Sequence, residues 1–258
     1  CGYTLQINQP ALLAELTGIT TVADFRSRDV AAGGQGAPLA PLFHRAWWGV
    51  QTAGDVVVLN IGGISNLSLW QGDALMGFDC GPGNALMDAW ISLQRGEHFD
   101  ASGRWAASGC VQERLLAQML TEPYFQQAAP KSTGRDLFSL AWLEQQLQTQ
   151  AKAGFSFAAE DVQATLLELT ARTIVDSLLA ARGGGYQQAA LGALVVCGGG
   201  AYNLALMQRL QSLLPQMQVQ SSQADGLAPN QVEAAAFAWL AQAALESRAL
   251  PVAGITGA

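Results

Sequence analysis

Apolar and polar positions along the chain follow two periods, and the switches between them mark most of the elements. Residues 56–61 (Val-Val-Val-Leu-Asn-Ile) and 64–69 (Ile-Ser-Asn-Leu-Ser-Leu) are short β-type runs separated only by Gly62 and Gly63, which predicts a hairpin over residues 55–70. Gly72 and Asp73 predict a second turn, followed by a third strand ending at Phe78 and Asp79. Cys80, Gly81, Pro82, Gly83 and Asn84 then lead into a helix through Trp90. Over residues 106–181 the apolar period becomes helical, with a long amphipathic segment from Asp161 that carries Leu166, Leu169, Ile174 and Leu178. Residues 191–197 form a buried-type strand and residues 198–200 a glycine turn. Asn203 opens a helix to about residue 214, and a last helix covers residues 230–245.

The opening stretch reads less regularly. Residues 3–7 have strand character, Asn8-Gln9-Pro10 suits a helix start, and Gly18 suits its end. Residues 20–25 read as a strand, followed by Arg26-Ser27-Arg28-Asp29 and a small-residue loop over residues 31–38. Hairpins first, then helices, then a strand-glycine-helix unit predict a layered α/β fold rather than a regular doubly wound one.

Composition narrows the function classes. A chain of 258 residues that is 50% hydrophobic can bury a sizeable core. Its formal charge of -7 and its 13% of charged residues argue against a surface that tracks nucleic-acid phosphates and favour a small-molecule substrate. Cys1, Cys80, Cys110 and Cys197 form no C-x-x-C pair, and His44 and His98 stand alone, so no disulfide framework and no transition-metal site is expected. No run approaches the ~20 apolar residues of a membrane-spanning helix. A cytoplasmic location is the simplest expectation.

Gly198-Gly199-Gly200 before a helix invites a dinucleotide-fold reading. Asn203 stands where that motif needs Gly or Ala, however, and no acidic residue ends the strand near residues 217–221. Two glycine turns separated by a helical block, one inside a hairpin and one before a helix, instead resemble the phosphate and adenosine segments of actin-like ATPases.

Longer strings sharpen the resemblance. They are Ala23-Asp24-Phe25-Arg26-Ser27-Arg28-Asp29 with residues 33–39, Leu59-Asn60-Ile61-Gly62-Gly63-Ile64-Ser65-Asn66, and Gly77-Phe78-Asp79-Cys80-Gly81-Pro82-Gly83-Asn84. Pro130-Lys131-Ser132-Thr133-Gly134-Arg135, residues 196–203 and residues 233–240 add to them. In this order, over residues 3–245, they resemble the 1,6-anhydro-N-acetylmuramic acid kinase family.

The resemblance implies an actin-like ATPase (ribonuclease H-like) two-lobe α/β fold. Residues 1–25 would be the remainder of the N-terminal lobe, 26–245 the C-terminal lobe, and 246–258 a segment returning toward the first. The family's opening phosphate loop has no counterpart here, so that lobe is expected to be incomplete, with open edges at residues 3–7 and 20–25. The runner-up is a sugar-binding remnant that does not hold ATP.

The implied chemistry is ATP-dependent phosphorylation of O6 as water opens the anhydro bond, with Mg2+, in peptidoglycan recycling and with a homodimer as the assembly. Asp79 is implied as the general base. Arg28, Asp29 and Glu233 are implied at the sugar, with the guanidinium suited to the lactyl carboxylate. Gly62, Gly63, Ser65 and Asn66 are implied at the phosphates, and Gly198, Gly199, Gly200 and Asn203 at the adenosine. The two glycine turns are expected to share one cleft, with Glu233 beside it. Lys131, Ser132 and Arg135 remain unassigned between substrate, nucleotide and loop ordering.

Overall fold

The computed structural model describes residues 5–49, 55–72, 74–183, 192–251 and 255–256. Contacts divide the chain into two compact units, one of residues 1–51, 68–77 and 233–258, the other of residues 52–67 and 78–232.

In the larger unit β1 (Val56–Ile61), β2 (Ile64–Gln71) and β3 (Ala74–Pro82) follow one another as hairpin-linked strands, the last two running on into the other unit. β4 (Gly192–Cys197) and β5 (Met217–Ser221) complete a sheet of order β3-β2-β1-β4-β5. β1 pairs with β4, and β4 with β5, in parallel, with Asn60 opposite Cys197. Val58, Leu59, Val195 and Val196 are fully buried, as parallel strands covered on both faces require. The mixture of hairpin and parallel pairing is the layered α/β arrangement that the order of elements predicts.

Helix α7 (Ala159–Ala181) packs against α4 (Ala85–Arg95), α5 (Glu113–Met119) and α8 (Leu204–Leu213), and α6 (Leu140–Lys152) packs against α4 and α5. The sequence predicts an amphipathic α7, but its polar residues Thr165, Glu168, Thr170 and Thr173 are buried as well. They are tolerated because they are hydrogen-bonded. Thr165 accepts from Gln112 N at 2.9 Å, and Thr170 donates to Gly83 O at 3.1 Å.

The smaller unit holds α1 (Pro10–Thr17), α2 (Phe25–Ala31), α3 (Ala40–Trp48) and nearly all of α9 (Val232–Leu245). Leu39, Leu42, Leu75, Leu240 and Ile255 form its apolar cluster, with Phe25 against Phe237 at 5.7 Å between ring centroids. His44 is a core residue whose Nδ1 pairs with Ser68 Oγ at 2.8 Å, and burial lowers its pKa to about 3.

Three expectations need correction here. Residues 20–24 are not a strand and α2 begins at Phe25, because seating that ring on Phe237 fixes a helical face and overrides local β preference. Arg28 and Asp29 therefore lie on a helix and not in a loop. Residues 5–7 are irregular, while the start of that expected strand lies outside the described residues, as do Asp73 and Leu191. The expected α1 is present, closed by Gly18 at φ 66, but Leu12, Leu13 and Leu16 are exposed on it.

Candidate active site

Because β1 and β4 run parallel in register, both deliver their following residues to the same edge of the sheet. Gly62 and Gly63 follow β1, and Gly198, Gly199 and Gly200 follow β4. Gly198 has φ +76, and a Cβ there would stand 2.5 Å from Asn60 Oδ1 and 2.7 Å from Ile61 O. A Cβ on Gly200 would overlap the Ile61 side chain. Only glycine lets the second turn close on the end of β1.

A third turn joins them after β3. Gly83 N donates to Gly63 O at 2.9 Å, Asn84 N to Gly62 O at 2.8 Å, and Ala85 N to Gly63 O at 3.2 Å. Asn84 Nδ2 donates to Ile61 O at 3.3 Å. Asn84 stands just before α4 but makes no side-chain cap there, and its amide ties α4 to β1 instead. Beside these turns opens a cavity of about 480 Å3 whose lining includes Asn84, Asp88, Phe99, Gly199, Tyr202 and Asn203.

Asp79 sits near the end of β3, held at both backbone groups. Its N–H donates to Lys131 O at 3.0 Å, and its carbonyl accepts from Tyr124 Oη at 2.8 Å. Carboxylate Oδ2 accepts from Ser132 Oγ and Thr133 N, both at 3.0 Å. Oδ1 makes no hydrogen bond with a described residue. Burial raises the Asp79 pKa above the usual carboxylate value, and the bonds from Thr133 and Ser132 offset only part of that rise. A carboxylate fixed through one oxygen, with the other free and its basicity raised, is equipped to take a proton. The alternative of a helix cap does not hold, since α4 begins only at Ala85.

The protein-family model that describes anhydro-N-acetylmuramic acid kinase matches residues 1–258. The chain belongs to that family. A relative so named from Pseudomonas fluorescens (strain Pf0-1) is 57% identical over 258 residues, which is all of this chain and 68% of the relative. One from Variovorax paradoxus (strain S110) is 56% identical over 263 residues, 100% of this chain and 67% of the relative. Solved structures overlap less closely. Xylulose kinase from Rhodospirillum rubrum has a TM-score of 0.44 at 16% identity, covering 89% of this chain and 44% of that one. The activator of the 2-hydroxyisocaproyl-CoA dehydratase from Clostridium difficile has 0.43 at 12%, covering 77% and 65%.

For this anhydro-N-acetylmuramic acid kinase family member, the residues singled out in the sequence fall into two groups. The larger unit holds Asp79, Gly62, Gly63, Gly198, Gly199, Gly200 and Asn203. Ser65 is fully buried and donates to Gly81 O at 3.2 Å, so its hydroxyl faces the turn's interior, and Asn66 is half-buried on β2. Asn203 caps α8 by accepting from Leu206 N at 3.1 Å.

The smaller unit holds Arg28, Asp29 and Glu233. Arg28 and Asp29 line a cavity of about 470 Å3 with Leu39, Leu42, Leu240 and Arg248. Both Asp29 oxygens are engaged, Oδ1 by Thr256 Oγ1 at 2.6 Å and Oδ2 by Gly36 N at 2.7 Å, which orders the glycine loop. Glu233 is exposed in the first turn of α9.

Sequence reasoning missed Tyr124 and Asp88. Asp88 lies one turn into α4, where burial raises its pKa to about 6 although the charge of Arg135 opposes the shift. Its spacing of four from Asn84 was the available signal. Lys131, left open in the sequence, holds a structural post: its Nζ donates to Tyr124 O at 3.2 Å and Phe125 O at 3.3 Å.

Proposed function

We propose that this chain carries the ATP-dependent kinase that opens 1,6-anhydro-N-acetylmuramic acid with water and phosphorylates it at O6, giving N-acetylmuramic acid 6-phosphate. The observation that carries the reading is Asp79, anchored through Oδ2 with Oδ1 free, in the same unit as the converging glycine turns. Family membership supplies the substrate.

In this scheme Asp79 Oδ1 takes a proton from water as its oxygen bonds to C1, and the C1–O6 bond breaks. The electron pair released to O6 forms the bond to the γ-phosphorus, and ADP departs with the electrons of the broken phosphoanhydride bond. The Gly62-Gly63 turn faces the phosphates and the 480 Å3 cavity beside Gly199 and Asn203 takes the adenosine. Arg28 and Glu233, which the family resemblance implies at the sugar, lie in the smaller unit, where Asp29 orders the glycine loop.

Mg2+ neutralises phosphate charge in such transfers. Among the described residues no group of three His, Cys, Asp or Glu side chains could hold a metal. Asp88, which lines the cavity beside Gly199, would be the carboxylate available to a cation carried on the nucleotide phosphates. Among the described residues no helix is long and apolar enough to cross a membrane. A cytoplasmic role in cell-wall sugar recycling fits the substrate.

The test is incubation of the full-length protein with ATP, Mg2+ and either the anhydro sugar or N-acetylmuramic acid. Formation of the 6-phosphate from the anhydro sugar supports the proposal. Phosphorylation of the ordinary sugar alone would make the protein a simple hydroxyl kinase.

A further inference from the structure

The glycine turn after β1 has a cationic neighbour that makes no hydrogen bond or ion pair with a described residue. Arg135 Nε and Nη2 both lie 2.6 Å from the point that a Gly63 Cβ would occupy. The guanidinium makes no hydrogen bond and no ion pair with a described residue, and the Gly63 N–H likewise has no described partner. The carbonyls of Gly62 and Gly63 turn the other way, toward Asn84, Gly83 and Ala85. Gly63 is not in the left-handed region, so its backbone alone does not demand glycine. What the missing side chain leaves is room for a group above the turn, and the guanidinium stands in it.

Two donors with no described partner, one of them charged and forked, thus meet at Gly63. That donor set matches the planar, bidentate geometry of a phosphate oxygen pair.

We propose that Arg135 binds the ATP phosphates at the Gly62-Gly63 turn together with the Gly63 N–H. The assignment rests on the kinase reading above. It has a second consequence, because Arg135 ends the loop whose Ser132 and Thr133 hold Asp79 Oδ2. A phosphate gripped at Arg135 orders the loop whose Ser132 and Thr133, three and two residues earlier, hold the base, so Arg135 affects turnover as well as nucleotide affinity.

The experiment compares wild type, Arg135→Ala and Arg135→Lys in the full-length protein. ADP and adenosine binding are measured by calorimetry, and kcat and KM for ATP by product formation. Arg135 is exposed, so the variants should melt with the wild type. Arg135→Ala should lose roughly 10- to 100-fold in ADP affinity, as loss of charge-assisted hydrogen bonds implies, with adenosine affinity unchanged. Its kcat should fall as well, and Arg135→Lys, which keeps the charge without the fork, should recover part of both. ADP affinity within twofold of wild type would overturn the assignment. A wild type that binds no ADP and makes no product would instead overturn the kinase reading.

Discussion

Replacing Gly83 with Ala tests whether the three turns form one packed unit. Gly83 is not in the left-handed region, so alanine meets no backbone penalty there and any effect comes from contact. The added methyl would overlap the Gly62 carbonyl oxygen and lie 3.2 Å from Ile64 C and Ser65 N. All three are backbone atoms, which cannot rotate away. Relief requires separating the turns, which stretches the hydrogen bonds of 2.9, 2.8 and 3.2 Å from Gly83, Asn84 and Ala85. Overpacking costs about 1–3 kcal/mol, and weakening these bonds adds roughly 1–2 kcal/mol. At about 2–4 °C per kcal/mol, a loss near 3 kcal/mol lowers Tm by about 6–12 °C. Two controls bracket it. A Gly62 Cβ has its nearest neighbour at 3.7 Å, and a Gly63 Cβ meets only the movable end of Arg135. Both should melt within about 2 °C of wild type. Differential scanning calorimetry of the three variants is the assay. A Gly83→Ala protein as stable as the controls would refute the packing argument.

Glu168 is buried at 3% exposure and accepts from Arg172 Nε at 2.7 Å and Arg209 Nε at 2.6 Å. Burial alone would raise its pKa, but the two arginines outweigh that and lower it, so its stabilisation is present above the unfolded value of 4.5 and is lost as pH falls below it. Glu168→Gln should cost about 1–3 kcal/mol near neutral pH, below the buried-pair range because both arginines are partly exposed, and the gap should shrink on acidification. A gap that widens in acid would contradict this. Asp88 has the opposite sign: its folded pKa of about 6 lies above 3.8, so stability is lost as pH rises through that window. Without nucleotide, Asp88→Asn should melt above wild type at about pH 7.5 and with it below about pH 4, and a wild type that melts higher at the upper pH would count against the assignment.

The hairpin, both glycine turns and the long α7 were legible because glycine pairs at strand ends and a sustained helical period are local signals. α2 was not, since Phe25 becomes helical by packing on Phe237 from the far end of the chain. α3 went unassigned although Pro41 in its first turn is a start signal. At the site, Asp79 stood out by its string, but what holds it in place did not. Its holders Tyr124, Ser132 and Thr133 come from a separate segment, and no spacing rule links them to β3. Asp29 was legible as a polar group beside a glycine loop, whereas its use of both oxygens on Gly36 and Thr256 depends on tertiary closure.

The most direct test of the account is turnover of the anhydro sugar in 18O-labelled water by the full-length protein with Asp79 and with Asp79→Asn. Asparagine keeps the size and the acceptor for Ser132 and Thr133 but removes the proton acceptor at Oδ1. The account predicts label at C1 of an initial α-configured 6-phosphate, because water enters opposite the departing O6. It predicts a fall in kcat of roughly 100- to 10,000-fold for Asp79→Asn, with sugar binding retained. Near-normal turnover by the asparagine variant, or a first product that retains configuration at C1, would contradict it.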